Sequence, residues 1–145
     1  FYIMKHIERR VLSHTPSNLF NLVSDVNKYP EFLPWCLGAR VKSSSKNELN
    51  ADLIIGFKLY KEVYSSQIIL DHNKNKIIVN YKDGPFEYLH NYWIFNENNK
   101  GCEIEFMVEF QFKSNFLQSL IENLFTEAVL RMVKAFEKRA NSLYK

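Results

Sequence analysis

The stretch from Glu103 to Phe112, reading EIEFMVEFQF, is the part of the sequence that decides the fold. Every second residue in it is apolar, and the residues between are mostly polar. An alternation with a period of two is typical of a β-strand that packs one face on a core and leaves the other in water. The residues expected to point inward are Ile104, Phe106, Val108, Phe110 and Phe112.

The segment that follows this strand predicts a long helix. Ser114 or Asn115 can cap its amino terminus. Apolar residues then recur at intervals of three, four or, at the end, seven: Leu117, Leu120, Ile121, Leu124, Ala128, Met132, Phe136 and Leu143. This spacing indicates one apolar face on a helix of about 30 residues, roughly 45 Å long.

The residues before Glu103 also indicate β-structure. From Ala39 onwards, short apolar runs alternate with turn-forming clusters. A further strand from His6 to Leu12 brings the predicted total to about seven, connected in ways that suit antiparallel pairing. Between these parts, Thr15 and Pro16 predict the N-cap and the first turn of a short helix.

The predicted sheet is too wide for one helix to cover. Seven strands at about 4.8 Å spacing make a sheet roughly 30 Å wide, whereas a helix with its side chains is about 10 to 12 Å across. The sheet must therefore curl around the helix, and the space between them holds either aromatic side chains or a ligand. We expect an α+β fold in which a curved antiparallel sheet surrounds a long carboxy-terminal helix.

Length and composition favour one domain that comprises residues 1–145. No internal repeat or linker-like stretch divides the chain, and aromatic residues make up 15% of it, which favours a roomy interior. The net charge of +3 is too small to indicate a DNA partner. Six basic residues would form a face for anionic lipid or ribosomal RNA only if the fold gathered them, and a solvated surface is the simpler interpretation: Arg9, Arg10, Arg40, Lys42, Lys58 and Lys61.

Residue types that often carry catalysis or bind metals form no pattern here. Cys36 and Cys102 are far apart, which fits neither a metal site nor a disulfide scaffold, and Cys36 is interpreted as a packed residue. The four histidines have no metal-ligand spacing and no carboxylate arrangement typical of a general base, so we expect them on the surface. Without an acid and base pair, an enzyme of the cyclase or hydrolase type is disfavoured, and we expect a protein that is not an enzyme.

Four segments, taken in order, are similar to one known family. They are Tyr29–Cys36 (YPEFLPWC), Ala51–Tyr64 (ADLIIGFKLYKEVY), Asp83–Phe95 (DGPFEYLHNYWIF) and Gly101–Leu120 (GCEIEFMVEFQFKSNFLQSL). Together they resemble the coenzyme Q-binding branch of the START-like, polyketide-cyclase-like superfamily, which also contains the bacterial ribosome-association toxin. The similarity extends in register over about 90 residues.

This resemblance implies a helix-grip fold with a lipid-sized cavity. It further implies a non-enzymatic carrier or chaperone that binds an isoprenoid quinone for respiratory electron transport, with ubiquinone as the expected ligand and no required cofactor. The alternative that the same resemblance supports is a toxin-like factor that binds the large ribosomal subunit and blocks subunit association. No signal sequence or membrane-spanning stretch is recognised, so the expected location is the bacterial cytoplasm, with transient contact at the inner membrane surface.

Two parts of the chain supply the predicted ligand-binding residues. The first is the loop of Phe32, Leu33, Pro34 and Trp35, which either plugs one end of the core or forms a lid that touches lipid. The second is the interior surface of the sheet and the helix: Phe57, Tyr64, Phe86, Leu89, Trp93, Phe106, Val108, Phe110, Leu120, Ile121, Leu124, Ala128 and Met132. A quinone head has two carbonyl acceptors, for which four side chains are candidate donors: Tyr64, Tyr81, Tyr88 and Trp93.

Overall fold

A computed structural model describes residues 3–57 and 59–144 of the chain. Within these residues, seven strands form one antiparallel sheet: β1 (Met4–Leu12), β2 (Cys36–Ser44), β3 (Glu48–Phe57), β4 (Tyr60–Asp71), β5 (Lys76–Asp83), β6 (Phe86–Asn98) and β7 (Gly101–Phe112). The order across the sheet is β1-β7-β6-β5-β4-β3-β2, so the strands from β2 to β7 follow one another as hairpins and β1 pairs with β7. The predicted antiparallel sheet is confirmed.

The helices lie before β2 and after β7. They are α1 (Pro16–Ser24), a 3-10 helix (Val26–Glu31), α2 (Asn115–Glu122) and α3 (Phe125–Leu143). The predicted cap of α1 is confirmed, because the Thr15 hydroxyl accepts a hydrogen bond from the Asn18 backbone N–H at 3.1 Å and Pro16 is the first helical residue. Ser114 caps α2 in the same way through the backbone N–H of Leu117 at 3.2 Å.

The prediction of one unbroken carboxy-terminal helix is wrong. The helix is interrupted at Asn123 and Leu124, so that α2 has 8 residues and α3 has 19. The interruption changes which residues of α3 are buried, and the buried set is Phe125, Val129, Val133, Phe136 and Ala140. Leu143, which we expected on the buried face, is half exposed.

The alternation in β7 is confirmed for its inward face. Ile104, Phe106 and Phe110 are buried in the core. On the opposite face, Glu105 forms an ion pair with Arg9 at 3.0 Å. Met107 departs from the pattern because it is buried although it belongs to the outward set.

Helix α3 lies against the concave face of the sheet through aromatic contacts. The ring of Phe136 lies 5.0 Å from that of Trp93 on β6, and the ring of Phe125 lies 5.0 Å from that of Phe110 on β7. A curved antiparallel sheet that grips a carboxy-terminal helix is the expected α+β, START-like arrangement. The aromatic contacts hold α3 in place over the sheet without filling all of the space beneath it.

His14 is not a surface residue, contrary to expectation. Its side chain is buried, and its Nε2 lies 2.7 Å from the Oδ1 atom of Asn141 on α3. The histidine thus ties the segment after β1 to the last helix. This contact joins residues 127 positions apart, which explains why no local pattern predicts it.

Candidate functional site

A cavity of about 700 Å³ lies between the concave face of the sheet, the loop before β2 and the helices α2 and α3. This volume is within the range of sites that enclose small organic ligands, about 300 to 1,000 Å³. Most of its lining side chains are aliphatic or aromatic. The space that the width of the sheet predicts is therefore present, and its wall suits an apolar molecule.

All but two of the predicted ligand-binding residues lie on the cavity wall. The residues on the wall are Leu33, Pro34, Trp35, Phe57, Tyr64, Phe86, Leu89, Trp93, Phe106, Val108, Phe110, Ile121, Leu124, Ala128 and Met132. Contact of these side chains with a ligand stays a prediction.

The two exceptions, Phe32 and Leu120, correct the prediction. Phe32 does not line the cavity, because its ring packs between that of Phe136 at 5.3 Å and the guanidinium of Arg139 at 5.1 Å. Leu120 is half-buried on α2 and lies off the wall. Leu120 lies within α2, where Leu117 and Ile121 on the same helix do line the wall.

The loop before β2 closes one end of the cavity. Trp35 has a φ of 62°, a left-handed conformation that bulky residues rarely adopt, and its carbonyl accepts a hydrogen bond from the Gly56 N–H at 2.9 Å. Gly56 also leaves room for the side chain of Leu37, because a Cβ atom at position 56 would lie 2.5 Å from the Cδ1 atom of Leu37. The half-buried Leu33, Pro34 and Trp35 thus form part of the wall.

Several wall residues were missed by the analysis of the sequence. Phe125 and Val129 were missed because the helix break shifts the phase of the apolar face. Glu62 and Ser66 lie on β4 two residues to either side of Tyr64, so strand alternation alone was a signal that could have found them. Glu127 and Arg131 also line the wall, where they form an ion pair at 2.8 Å with both side chains largely exposed, which places them at the mouth.

The candidate hydroxyl donors differ in what they already contact. The Tyr81 hydroxyl lies off the wall and accepts a hydrogen bond from the Phe86 N–H at 3.1 Å. Tyr88 is on the outer face of the sheet and donates to Glu109. Neither residue is on the cavity wall, so the candidate donors that lie on the wall are Tyr64 and Trp93.

Tyr64 and Ser66 differ from Tyr81 and Tyr88. Both lie on the wall, and neither hydroxyl has a hydrogen-bond partner among residues 3–57 and 59–144. Burial raises the pKa of Tyr64 to about 12, so its hydroxyl keeps its proton at neutral pH. Trp93 also lies on the wall, with its ring packed 4.5 Å from that of Phe106.

The cysteines do not resemble activated nucleophiles. Cys36 lies on the wall, and burial raises the pKa of its thiol above the usual value. Burial also raises the pKa of Cys102 to about 11, and this residue is completely enclosed. A thiol that remains protonated is a poor nucleophile, which agrees with a packing role for Cys36.

The basic residues considered above do not gather on one face. Arg9 and Arg10 are on β1 and Arg40 and Lys42 are on β2, which are the two opposite edges of the sheet. Lys42 forms an ion pair with Asp52 at 3.1 Å, and Arg10 forms one with Glu137 at 3.0 Å. Lys58 lies outside the described residues.

Exposed apolar side chains lie beside the mouth of the cavity. Leu59, in the turn between β3 and β4, is 99% exposed, and Phe116, at the start of α2, is 60% exposed. The ring of Phe116 lies 5.6 Å from that of Tyr60, which itself lines the cavity. We call Leu59, Tyr60 and Phe116 the apolar rim. Within the described part of the chain, none of the helices combines the length and the apolar character needed to cross a bilayer.

Comparison with solved structures agrees with this architecture. A START superfamily protein from Mycobacterium smegmatis superimposes with a TM-score of 0.79 at 14% identity, over 97% of this chain and 98% of that one. The Zhui aromatase/cyclase from a Streptomyces species superimposes with a TM-score of 0.86 at 9% identity, over 99% of this chain and 97% of that one. At these identities the comparison establishes the fold alone.

Sequence comparison defines the family. The ribosome association toxin RatA of Rickettsia prowazekii is 39% identical over 139 residues, which are 94% of this chain and 95% of that protein. The mitochondrial coenzyme Q-binding protein COQ10 homolog B of Xenopus laevis is 34% identical over 97% of this chain and 59% of that protein. The family model described as polyketide cyclase / dehydrase and lipid transport matches residues 12–137. The chain belongs to this family, in the START-like branch that holds ribosome association toxins and coenzyme Q-binding proteins.

Proposed function

We propose that this protein binds an apolar lipid, of which an isoprenoid quinone is the leading candidate, and carries it without changing it chemically. The observation that carries this proposal is the cavity of about 700 Å³ with its largely apolar wall. Burial of one isoprene unit of about five carbons contributes roughly 3 to 4 kcal/mol, at about 0.8 kcal/mol per methylene-sized group. A few such units would suffice for tight binding without any charged contact.

The ionisable groups of the wall favour binding over catalysis. No histidine lines the wall within the described residues. Glu127 and Arg131 are paired with each other at the exposed mouth, and the thiol of Cys36 has a raised pKa. A general acid and base would need to face each other across a bound substrate, and among the described wall residues the carboxyls Glu62 and Glu127 have no histidine or lysine to act with them.

The direct test is to identify what the protein retains from cells. The purified protein is extracted with organic solvent, and the extract is analysed by mass spectrometry beside an extract of a variant in which the cavity is blocked. We expect a quinone or another neutral lipid in stoichiometric amount from the natural protein alone. A protein that carries no lipid, and that takes up none when quinone is added, contradicts the proposal.

Loading and delivery would take place at a membrane surface through the apolar rim. Leu59 and Phe116 are exposed large apolar side chains beside the cavity mouth, whereas Trp35, for which contact with lipid was one of two interpretations, is half-buried in the wall. A rim that enters the bilayer interface would let an apolar ligand leave the cavity without crossing water. The same contact would let the protein take up its ligand from the bilayer.

A second function, association with the large ribosomal subunit, is favoured by the names of the relatives. Those called ribosome association toxin RatA match this chain over 94% to 98% of its length at 31% to 39% identity. The exposed Lys134 and Lys138 lie one helical turn apart on α3 and offer positive charge to ribosomal RNA.

Co-sedimentation with purified ribosomal subunits tests this second function. We expect binding that decreases as salt increases, because contacts with phosphate release counterions. The charge-reversed variant Lys134→Glu/Lys138→Glu would weaken it. Binding that is absent at low salt excludes the ribosomal role, and binding that is unaffected by the two substitutions excludes this surface.

A further inference from the structure

The inward face of β4 changes from polar to apolar along the cavity. In order from the mouth, its side chains are Tyr60, Glu62, Tyr64, Ser66 and Ile68. Tyr60 is partly exposed beside the mouth, whereas Ser66 is only 4% exposed. Polar groups therefore continue along this strand from the mouth into the interior of the cavity.

The hydroxyls of Tyr64 and Ser66 face the cavity and have no hydrogen-bond partner among residues 3–57 and 59–144. The neighbouring Ser65, which points to the outer face, donates to Asp52 at 2.6 Å, so its hydroxyl is satisfied within the protein. No such partner exists for Tyr64 or Ser66 in the portion of the chain that the structure describes. Neither hydroxyl oxygen is among the fully enclosed polar atoms that lack a partner, a group that within the described residues contains Arg139 Nε alone, so both hydroxyls are open to the cavity space and can bond to a ligand there.

The opposite wall has a different character. Phe106 and Val108 on β7, together with Leu124, Ala128 and Met132 beside them on the helical side, are apolar. Strands β4 and β7 are separated by two strands in the sheet, so these two walls face different parts of one bound molecule. The cavity thus has a hydrogen-bonding side and an apolar side.

We propose that Tyr64 and Ser66 hold the head of the ligand by donating hydrogen bonds to its uncharged acceptor oxygens, while its tail lies against β7 and α3. This inference rests on the proposed carrier function and specifies the class of ligand. A carbonyl- or ether-bearing head fits two hydroxyl donors. An anionic head does not fit, because Arg131, the one cation among the described residues of the wall, is at the mouth and already paired with Glu127.

The test compares a probe that has a head with one that lacks it. The probes are a ubiquinone with a saturated ten-carbon tail and decylbenzene, which has the same tail on a ring without oxygen. Affinities are measured by calorimetry for the natural protein, for Tyr64→Phe and for Ser66→Ala. The Tyr88→Phe variant is the matched control, because it removes the same atom from the outer face of the sheet.

We expect each substitution to weaken quinone binding about threefold to tenfold and to leave decylbenzene binding unchanged. Tyr88→Phe changes neither affinity. The infrared carbonyl band of bound quinone moves to higher frequency in Tyr64→Phe as the hydrogen bond is lost. Thermal unfolding of each variant is measured in parallel, and the retained ring of Tyr64→Phe keeps the contact that Tyr64 makes with Phe86 at 5.9 Å.

The outcomes separate this inference from the carrier function. A natural protein that binds neither probe refutes the carrier function and the inference together. If it binds both probes but Tyr64→Phe and Ser66→Ala bind the quinone as tightly as the natural protein does, the carrier function stands and the head site is refuted. A loss of quinone affinity in Trp93→Phe alone likewise refutes it, because the donor is then on β6. Tight binding of decanoate that depends on Tyr64 refutes the preference for an uncharged head.

Discussion

Replacing Ala128 by phenylalanine should block the cavity from the helical side. Ala128 is a half-buried residue of α3 whose small side chain lines the cavity. A phenyl ring at this position has empty space to enter, whereas most core positions would clash with it. The substitution Ala128→Phe therefore removes ligand volume without requiring the sheet to move.

The expected loss of affinity follows from the volume that the ring occupies. The ring displaces about one isoprene unit, whose burial contributes roughly 3 to 4 kcal/mol. Binding should therefore weaken by about 10² to 10³-fold. The unliganded protein should change little in stability, because burial of the ring offsets the loss of about 0.5 kcal/mol in helix propensity.

The two tryptophans provide the assay. Trp35 and Trp93 both line the cavity, so a bound quinone should quench their fluorescence and report its own dissociation constant. Leu130→Phe is the matched control, since it adds an aromatic ring to the exposed side of the same helix. If Ala128→Phe folds normally and binds the quinone as tightly as the control does, the ligand does not occupy the space beside Ala128, and the proposed site is wrong.

Three further predictions concern the membrane, the fold and the pH. Leu59→Asp should reduce co-sedimentation of the protein with lipid vesicles severalfold. Leu143→Asp changes an exposed position at the end of α3 and should leave co-sedimentation unchanged. Equal effects of the two substitutions would refute a role for the apolar rim. Gly101→Ala should lower the free energy of unfolding by about 2 kcal/mol or more in urea, because φ is 135° and the new Cβ would lie 2.3 Å from a backbone carbonyl oxygen. Gly38→Ala should lower the free energy of unfolding by less than about 1 kcal/mol, because its Cβ would meet only the end of a flexible side chain at 3.1 Å. A similar loss of stability in both variants would contradict the close contact at Gly101. The pKa of Tyr64 is about 12 in the folded protein, compared with its ordinary value of 10.0. Its contribution to the free energy of unfolding is therefore complete below pH 10 and is lost as the pH rises towards 12. Between pH 9 and 11 the free energy of unfolding of the natural protein should therefore fall by about 1 kcal/mol more than that of Tyr64→Phe, as measured by urea titration. Equal decreases in the two proteins would show that the phenol is not buried.

Ala128→Phe also separates the two proposed functions. A variant that no longer binds quinone but still co-sediments with ribosomal subunits would show that the ribosomal contact uses the outer surface. Loss of both activities in a folded variant would show that the ribosomal contact depends on the occupied cavity. A surface contact through Lys134 and Lys138 predicts the first result, because both side chains are exposed on α3.

The choice among the candidate donors shows where prediction from the sequence stops. Tyr88 follows Phe86 by two residues, so simple alternation would place both side chains inward. A register shift between these residues in the pairing of β6 with β7 turns Tyr88 to the outer face and leaves Phe86 inside. The hydroxyl of Tyr81 is engaged by the Phe86 N–H beyond the next turn. The direction of the Tyr88 side chain and the hydrogen bond of Tyr81 depend on the pairing of strands, which the spacing of residues in the sequence does not determine.

Local physical chemistry was enough to predict the elements. The alternation of β7 and the cap at Thr15 are determined by residues close together in the chain, and the width of seven strands already required a space beneath the helix. Only the tertiary structure decided the interruption of the last helix, which no proline or glycine marks, and with it the burial of Phe125. It alone also left Tyr64 and Ser66 facing the cavity without partners, because a hydroxyl is free or engaged according to what distant strands bring beside it.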